Sequence, residues 1–288
     1  MKALNITIIG LGLIGGSLGL AFKEKLSTPI VVTGYDVSQH IIDIAINRKA
    51  IDFGSTNLQD AVQQADFVFL CTPVLQMFPI IEHIAPYLKR GTILSDVGST
   101  KRFLVDKIVD MLPVGVEFVG GHPMAGSEQS GITAAQPNLF SNKYYIIVPA
   151  ANTSPLAVNS LINLIRPTGS LISIMDMDRH DLCAAFISHV PHVAAAALVN
   201  LLDNCSEEES LKLTGGGFRD TTRIASSNAD MWADICISNS EAINDGLKKL
   251  QILIGEVITA AETNDRKKLH AFFSNAKQRR DSLISASP

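Results

Sequence analysis

The stretch Asn5-Ile6-Thr7-Ile8-Ile9-Gly10-Leu11-Gly12-Leu13-Ile14-Gly15-Gly16-Ser17-Leu18-Gly19 decides the fold of this 288-residue chain. Its first five residues are a short apolar, β-branched run, the glycines that follow make a turn, and the residues beyond suit a helix. Positions 3 to 22 carry no charged side chain, which by length alone could serve a signal peptide or a membrane span. Glycines at 10, 12, 15, 16 and 19 make a poor lipid-facing helix, so strand, turn and helix is the better reading. In Gly10-x-Gly12-x-x-Gly15 the first glycine makes the tight turn. The second lets the backbone approach a pyrophosphate, and the third lets helix and strand pack closely. Leu13 and Ile14 open the helix, whose free N–H groups and partial positive charge suit phosphates.

Asp36 stands 21 residues beyond Gly15, at the end of a second candidate strand, Ile30–Tyr35. A carboxylate there accepts hydrogen bonds from the adenosine ribose and repels a 2′-phosphate, which selects NAD over NADP as the cofactor. Thr72 and Pro73, in Cys71-Thr72-Pro73 at the end of a later strand, fall on the sheet edge where such folds bind ligands and border the cofactor. Cys71 itself reads as a small buried filler.

Outward from this motif, short apolar runs alternate with helix-period segments. Candidate strands are Ile6–Ile9, Ile30–Tyr35, Phe67–Cys71, Thr92–Ser95, Glu117–Val119, Tyr144–Val148 and Leu171–Ile174; Ser38–Arg48, Leu75–Leu88 and Lys101–Met111 have helical spacing. From about Met177 the strands stop, and helices are expected over Asp178–Leu202, Glu207–Lys212, Thr221–Ala225, Met231–Thr263 and Asp265–Ala286, with a kink at Pro191. The fold class is therefore α/β, a Rossmann-type, mostly parallel sheet over residues 1–176 followed by an all-helical domain over residues 177–288.

With 24 basic against 28 acidic residues the net charge is −4. There is no basic stripe for nucleic acid, and nothing favours a membrane surface. The hydrophobic share of 47% suggests apolar surface covered by another subunit. Four cysteines, Cys71, Cys183, Cys205 and Cys236, show no metal or disulfide spacing and fit the reduced thiols of a cytoplasmic protein. No zinc site is expected, because no His, Cys or Glu pair beyond His189 and His192 stands at ligand spacing.

Three further segments are too polar and glycine-rich to serve packing alone. They are Ser95-Asp96-Val97-Gly98-Ser99-Thr100-Lys101, Gly120-Gly121-His122-Pro123-Met124-Ala125-Gly126-Ser127-Glu128, and the pair Ser188-His189-Val190-Pro191-His192 with Gly215-Gly216-Gly217-Phe218-Arg219-Asp220-Thr221-Thr222-Arg223. The first two follow strands and so lie on the ligand edge. His122, flanked by glycines and a proline at a strand end, is poorly placed for packing and has the chemistry of a general base. His189 reads as a satisfied core histidine and Trp232 as core or interface bulk. For the acid of His180-Asp181, a helix-start role and a role supporting the site are both open.

In that order behind the glycine fingerprint, these phrases resemble the prephenate dehydrogenase family, and the likeness runs along nearly all of the chain. The resemblance implies NAD-dependent oxidative decarboxylation of prephenate to 4-hydroxyphenylpyruvate, on the route to tyrosine. His122 matches the histidine that takes the proton of the C4 hydroxyl. Ser99 matches the serine that orients it beside the nicotinamide, so it serves both catalysis and cofactor binding. Arg223 matches the arginine that grips a substrate carboxylate, and His192 a second substrate-binding histidine. Ser127 and Glu128 fall at the substrate, Glu128 as a polar gate. A homodimer joined through the C-terminal helices is implied, without a fused chorismate mutase or regulatory domain. An arogenate dehydrogenase, a β-hydroxyacid dehydrogenase and a silent NAD-binding regulator are the alternatives.

Overall fold

The computed structural model describes residues 3–126, 129–205 and 212–285, with the side chains of 284 and 285 left aside. At its centre is one sheet of eight strands: β1 (Leu4–Ile9), β2 (Ile30–Tyr35), β3 (Phe53–Ser55), β4 (Phe67–Leu70), β5 (Ile93–Asp96), β6 (Glu117–Pro123), β7 (Tyr144–Pro149) and β8 (Leu171–Ile174). Their spatial order is β3-β2-β1-β4-β5-β6-β7-β8. β1 to β6 are parallel, β7 runs antiparallel to β6, and β8 runs parallel to β7. The order reverses between β1 and β4, which places the glycine turn after β1 in the crevice where open sheets of this kind take their ligands.

Helices cover both faces, so the central strands are apolar on both sides. On one face Ile6, Ile8, Phe67 and Phe69 pack with Leu18 and Phe22 of helix Leu13–Lys25, Ile42 of helix Gln39–Asn47 and Leu161 of helix Pro155–Ile165. On the other, Ile9, Val68 and Leu70 pack with Met77 and Ile81 of helix Met77–Ile84 and with Leu104 and Ile108 of helix Arg102–Met111. The apolar run of the opening stretch is thus a buried strand and a buried helix.

Several boundaries differ from the sequence expectation, each for a tertiary reason. β3 has only three residues with little apolar pattern and is held by pairing with β2. β6 was expected to end at Val119 but continues to Pro123, because Val119 to Pro123 pair with β7 after the parallel partner β5 has ended. The expected helix Met231–Thr263 is two helices, Ala229–Ser238 and Ser240–Glu262, broken at Asn239, whose side chain is used by tertiary hydrogen bonds. The first long helical run continues past Pro191 by widening to a π-turn over Ala185–His189 before helix Val190–Asn200. The segment expected over Thr221–Ala225 is helix Gly216–Thr222 followed by the 3-10 turn Arg223–Ser226. Of the expected helix Glu207–Lys212, residues 207–211 lie outside the described residues.

The all-helical run begins at Met177, directly after β8, whereas the packing divides the chain into compact units Met1–Ser240 and Glu241–Pro288. In the first unit, helix Met177–Ala184 packs on helix Arg102–Met111 and on β7. Helix Ala229–Ser238 packs on the turn Val74–Gln76 that follows Thr72 and Pro73, and turn Arg223–Ser226 packs on helix Val190–Asn200. The second unit is the pair of helices Ser240–Glu262 and Arg266–Ser285. The segment Met177–Asn204 is long and apolar enough to cross a membrane by length and composition, yet His180, Asp181, His189 and His192 on it are buried within the unit.

Candidate active site

The three glycines of the fingerprint have different steric settings. Gly10 has φ +94°, and a Cβ there would lie 2.8 Å from the Cys71 carbonyl oxygen; a Cβ on Gly15 would lie 2.0 Å from the Gly10 carbonyl oxygen. A Cβ on Gly12 would meet nothing within 4 Å, so the space above the helix start is open where a pyrophosphate would sit. Gly12 is the N-cap of helix Leu13–Lys25 and supplies no side-chain cap, and no acid stands in the first turn. The first N–H groups, around Leu13 and Ile14, are therefore aimed at that space.

Asp36 is clamped in place: one carboxylate oxygen accepts from the Leu11 N–H at 3.1 Å and the other from the Ser38 N–H at 3.0 Å. This fixes the acid beside the glycine turn. Thr72 lies across from Gly10, and its buried Oγ1 has no hydrogen-bond partner among the described residues, which fits a hydroxyl waiting for a ligand. Pro73 is exposed next to it. Burial and the Asp96 carboxylate push the Cys71 thiol far above its usual range, which suits a filler and no redox role. All these residues fit a dinucleotide.

The Ser95–Lys101 segment is organised by a buried ion pair. Lys101 and Asp96 are both fully buried, with Nζ 2.6 Å from Asp96 Oδ2. The same ammonium donates to the carbonyls of Gly98 at 2.6 Å and Thr100 at 3.2 Å, on either side of half-buried Ser99. Asp96 also accepts from the Gly98 N–H at 2.8 Å and, through its other oxygen, from the Gly121 N–H at 3.1 Å. One ion pair thus sets the loop of Ser99 and the strand of His122 together. Gly121 must be glycine, since a Cβ would meet the Asp96 carbonyl oxygen at 2.7 Å and the Tyr145 hydroxyl at 2.8 Å.

Because β6 outlasts β5, His122 stands at the end of a strand, as expected, one that overhangs the carboxyl edge of the parallel sheet and ends at Pro123 rather than Val119. Its side chain is 7% exposed. Burial, followed by the neighbouring His180, Lys101 and His189, holds its pKa well below the ordinary histidine value. The imidazole is neutral at physiological pH and can accept a proton. Among the described residues its ring partner is His180, with Nδ1 2.8 Å from His180 Nε2; no hydrogen bond joins it to Ser99.

His180 in turn lies 2.7 Å from Asp181 through Nδ1. Asp181 accepts the N–H groups of Lys101 at 2.8 Å and Arg102 at 2.9 Å, capping helix Arg102–Met111. Both roles left open for this acid are therefore present, the helix start being that of another helix. Asn239 donates to the Asp181 carbonyl at 2.9 Å and lies 3.2 Å from His189 Nδ1. His189 is fully buried, its pKa lowered by burial to about 4, and its Nε2 has no partner among the described residues.

Trp232, read from sequence as bulk, stacks on His192 with ring centroids 3.4 Å apart and planes 14° apart, and lies edge-on to His189 at 5.9 Å. Burial lowers the His192 pKa as well. A continuous chain of contacts thus runs from His122 through His180, Asp181, Asn239 and His189 to the His192–Trp232 stack. Arg223 is exposed on the turn that packs against the helix carrying His192. Ser127 and Glu128 lie outside the described residues. Sequence reasoning missed the roles of His180, Asn239 and Lys101, which arise from contacts spanning up to 80 positions.

A mostly parallel sheet with a glycine cradle and a clamped acid at its switch point, and a buried imidazole on a strand at the same carboxyl edge, defines a dinucleotide-binding oxidoreductase. The comparisons give this class a family. The nucleotide-binding domain of prephenate dehydrogenase matches residues 18–174, and the dimerization domain of prephenate dehydrogenase matches residues 176–275. Prephenate dehydrogenase of Bacillus subtilis (strain 168) is 38% identical over 97% of this chain and 76% of its own length. The crystal structure of prephenate dehydrogenase from A. aeolicus in complex with hydroxyphenyl propionate and NAD+ covers 98% of this chain and 99% of its own, with a TM-score of 0.91 and 29% identity. Synechocystis arogenate dehydrogenase covers 97% and 100%, with a TM-score of 0.82 and 29% identity. The chain belongs to the prephenate dehydrogenase family.

Proposed function

We propose that this chain oxidatively decarboxylates prephenate to 4-hydroxyphenylpyruvate, with NAD+ as the acceptor. The observation that carries the reading is the buried His122, its pKa held low by burial, on a strand that overhangs the same carboxyl edge of the sheet as the glycine cradle. Gly10, Gly12, Leu13, Ile14 and Gly15 would hold the pyrophosphate, Asp36 the ribose, and Thr72, Pro73 and Ser99 the inner part of the dinucleotide. Bound NAD+ supplies the acceptor for the hydride that leaves ring carbon C4. His122 takes the proton of the C4 hydroxyl as the carbonyl develops. The ring carboxylate then leaves as CO2, its electron pair completes the aromatic ring, and the phenolate oxygen takes a proton back. Aromatisation drives the sequence.

Prephenate is a dicarboxylate and needs fixed positive charge. We assign that to Arg223, with His192 hydrogen-bonding the substrate against the Trp232 wall, Ser99 beside its hydroxyl, and Ser127 and Glu128, which lie outside the described residues, as further substrate-binding residues. Residues 1–176 then serve the cofactor and residues 177–288 the substrate and the subunit contact. The same geometry would accept arogenate, which carries an amino group in place of the side-chain keto group; the likeness to Synechocystis arogenate dehydrogenase keeps this as the second reading. Exposed Ile252, Leu253, Ile254, Ile258 and Phe273 give the last two helices apolar surface through which we propose a homodimer. The four cysteines, which show no disulfide spacing, agree with a cytoplasmic setting.

The test is an assay of prephenate and arogenate, each with NAD+ and NADP+, following reduced-cofactor absorbance and CO2. The reading expects turnover with prephenate and NAD+ to exceed the other three; no turnover of either substrate would refute it.

A further inference from the structure

A general base must present a lone pair, and a neutral histidine has one on only one of its two nitrogens. Which nitrogen of His122 carries it follows from the far end of the contact chain. Both oxygens of Asp181 accept from backbone N–H groups, Oδ1 from Lys101 at 2.8 Å and Oδ2 from Arg102 at 2.9 Å. Backbone N–H groups can only donate, so this carboxylate acts as an acceptor. His180 Nδ1, 2.7 Å from Asp181 Oδ1, must then be the donor. In a neutral ring that leaves the lone pair on His180 Nε2, which lies 2.8 Å from His122 Nδ1. A hydrogen bond there requires His122 Nδ1 to carry the proton.

We infer that His180 and Asp181 are positioning residues that lock His122 into the tautomer protonated on Nδ1, leaving Nε2 bare to receive the substrate proton. This rests on His122 being the base of the proposed reaction. The lock is rigid because Asp181 caps helix Arg102–Met111 and its own carbonyl is held by Asn239 at 2.9 Å. The residue that orients the base therefore also fixes the start of the helix behind Ser99. The groups facing this chain are His189 from the π-turn and the fully buried pair of Asp96, at the end of β5, and Lys101, just before helix Arg102–Met111. When Nε2 accepts the hydroxyl proton, the imidazolium keeps its Nδ1–H on His180 and is stabilised by the carboxylate beyond. No second proton moves, the logic being that of hydrolase triads in which the acid orients the base without becoming protonated.

The measurement is the 15N spectrum of histidine-labelled wild-type protein with NAD+ bound, combined with kinetics of His180→Leu and His180→Gln. We expect His122 to show a protonated Nδ1 and a bare Nε2, and His180 a protonated Nδ1. His180→Leu removes the acceptor while filling the space, so kcat should fall about 100-fold or more with the KM for NAD+ unchanged. His180→Gln can still accept from His122 and donate to Asp181, and should recover about 10-fold of that loss, a rescue that a purely structural role would not give. A His122 protonated on Nε2, or wild-type kcat in His180→Leu, overturns the inference; if that variant does not fold, the spectrum decides. Should neither substrate turn over, it is the proposed function that falls, and the spectrum still reports the tautomer.

Discussion

Burial keeps His122, the proposed base, neutral over a wide pH range. Its charged form is disfavoured by desolvation first and by His180, Lys101 and His189 next, so the proton-accepting state persists below the ordinary value of 6.5. The acid limb of kcat/KM should therefore lie below pH 6.5; a limb at or above that value would mean that another group governs it. Replacing His122 with Asn should lower kcat about 100-fold or more and leave NAD+ affinity intact, read by kinetics and by cofactor titration. Sequence could single out His122 because glycines and a proline surround it, a context that packing does not need. It could not single out His180, whose ring meets His122 only through the folding of two distant segments.

At the level of elements, Gly12 and Gly15 of the one glycine turn make opposite demands on substitution. Gly15→Ala would drive a Cβ to 2.0 Å from the Gly10 carbonyl, so strand and helix must separate and thermal stability should fall together with NAD+ binding. Gly12→Ala meets no protein atom within 4 Å; its melting temperature should stay near wild type while NAD+ affinity drops, and equal effects of the two would contradict the assignment of roles. Lys101→Met should cost about 3–5 kcal/mol in chemical denaturation, since it leaves the fully buried Asp96 without its partner. The strands with strong apolar character were legible because burial on both faces writes itself into sequence. β3, the extension of β6 and the break at Asn239 were not, because each is held by pairing or hydrogen bonds to residues remote in the chain.

At the level of the whole molecule, buried neutral histidines couple stability to pH. The folded-state pKa values of His122, His180, His189 and His192 are all lowered. Between those values and 6.5 the unfolded chain binds more protons than the folded one. Stability is thus fully present above about pH 6.5 and lost as pH falls, His189 alone contributing about 1.4 kcal/mol per pH unit down to its value of about 4. A melting temperature flat above neutrality and declining steadily below it is expected. The apolar surface of the last two helices predicts that Ile258→Glu shifts sedimentation toward monomer; an unchanged sedimentation profile would place the interface elsewhere. The parallel sheet followed by helices and the dinucleotide-binding glycine turn could be read from one chain, whereas the contacts through Lys101, Asp181 and Asn239 exist only in the fold. The central claim, that the cradle and His122 serve one reaction, is tested most directly by mixing the purified protein with prephenate and NAD+ and measuring NADH and CO2 together. The account predicts the two in equal amounts, with both abolished by His122→Asn; NADH without CO2, or neither product from prephenate or arogenate, would contradict it.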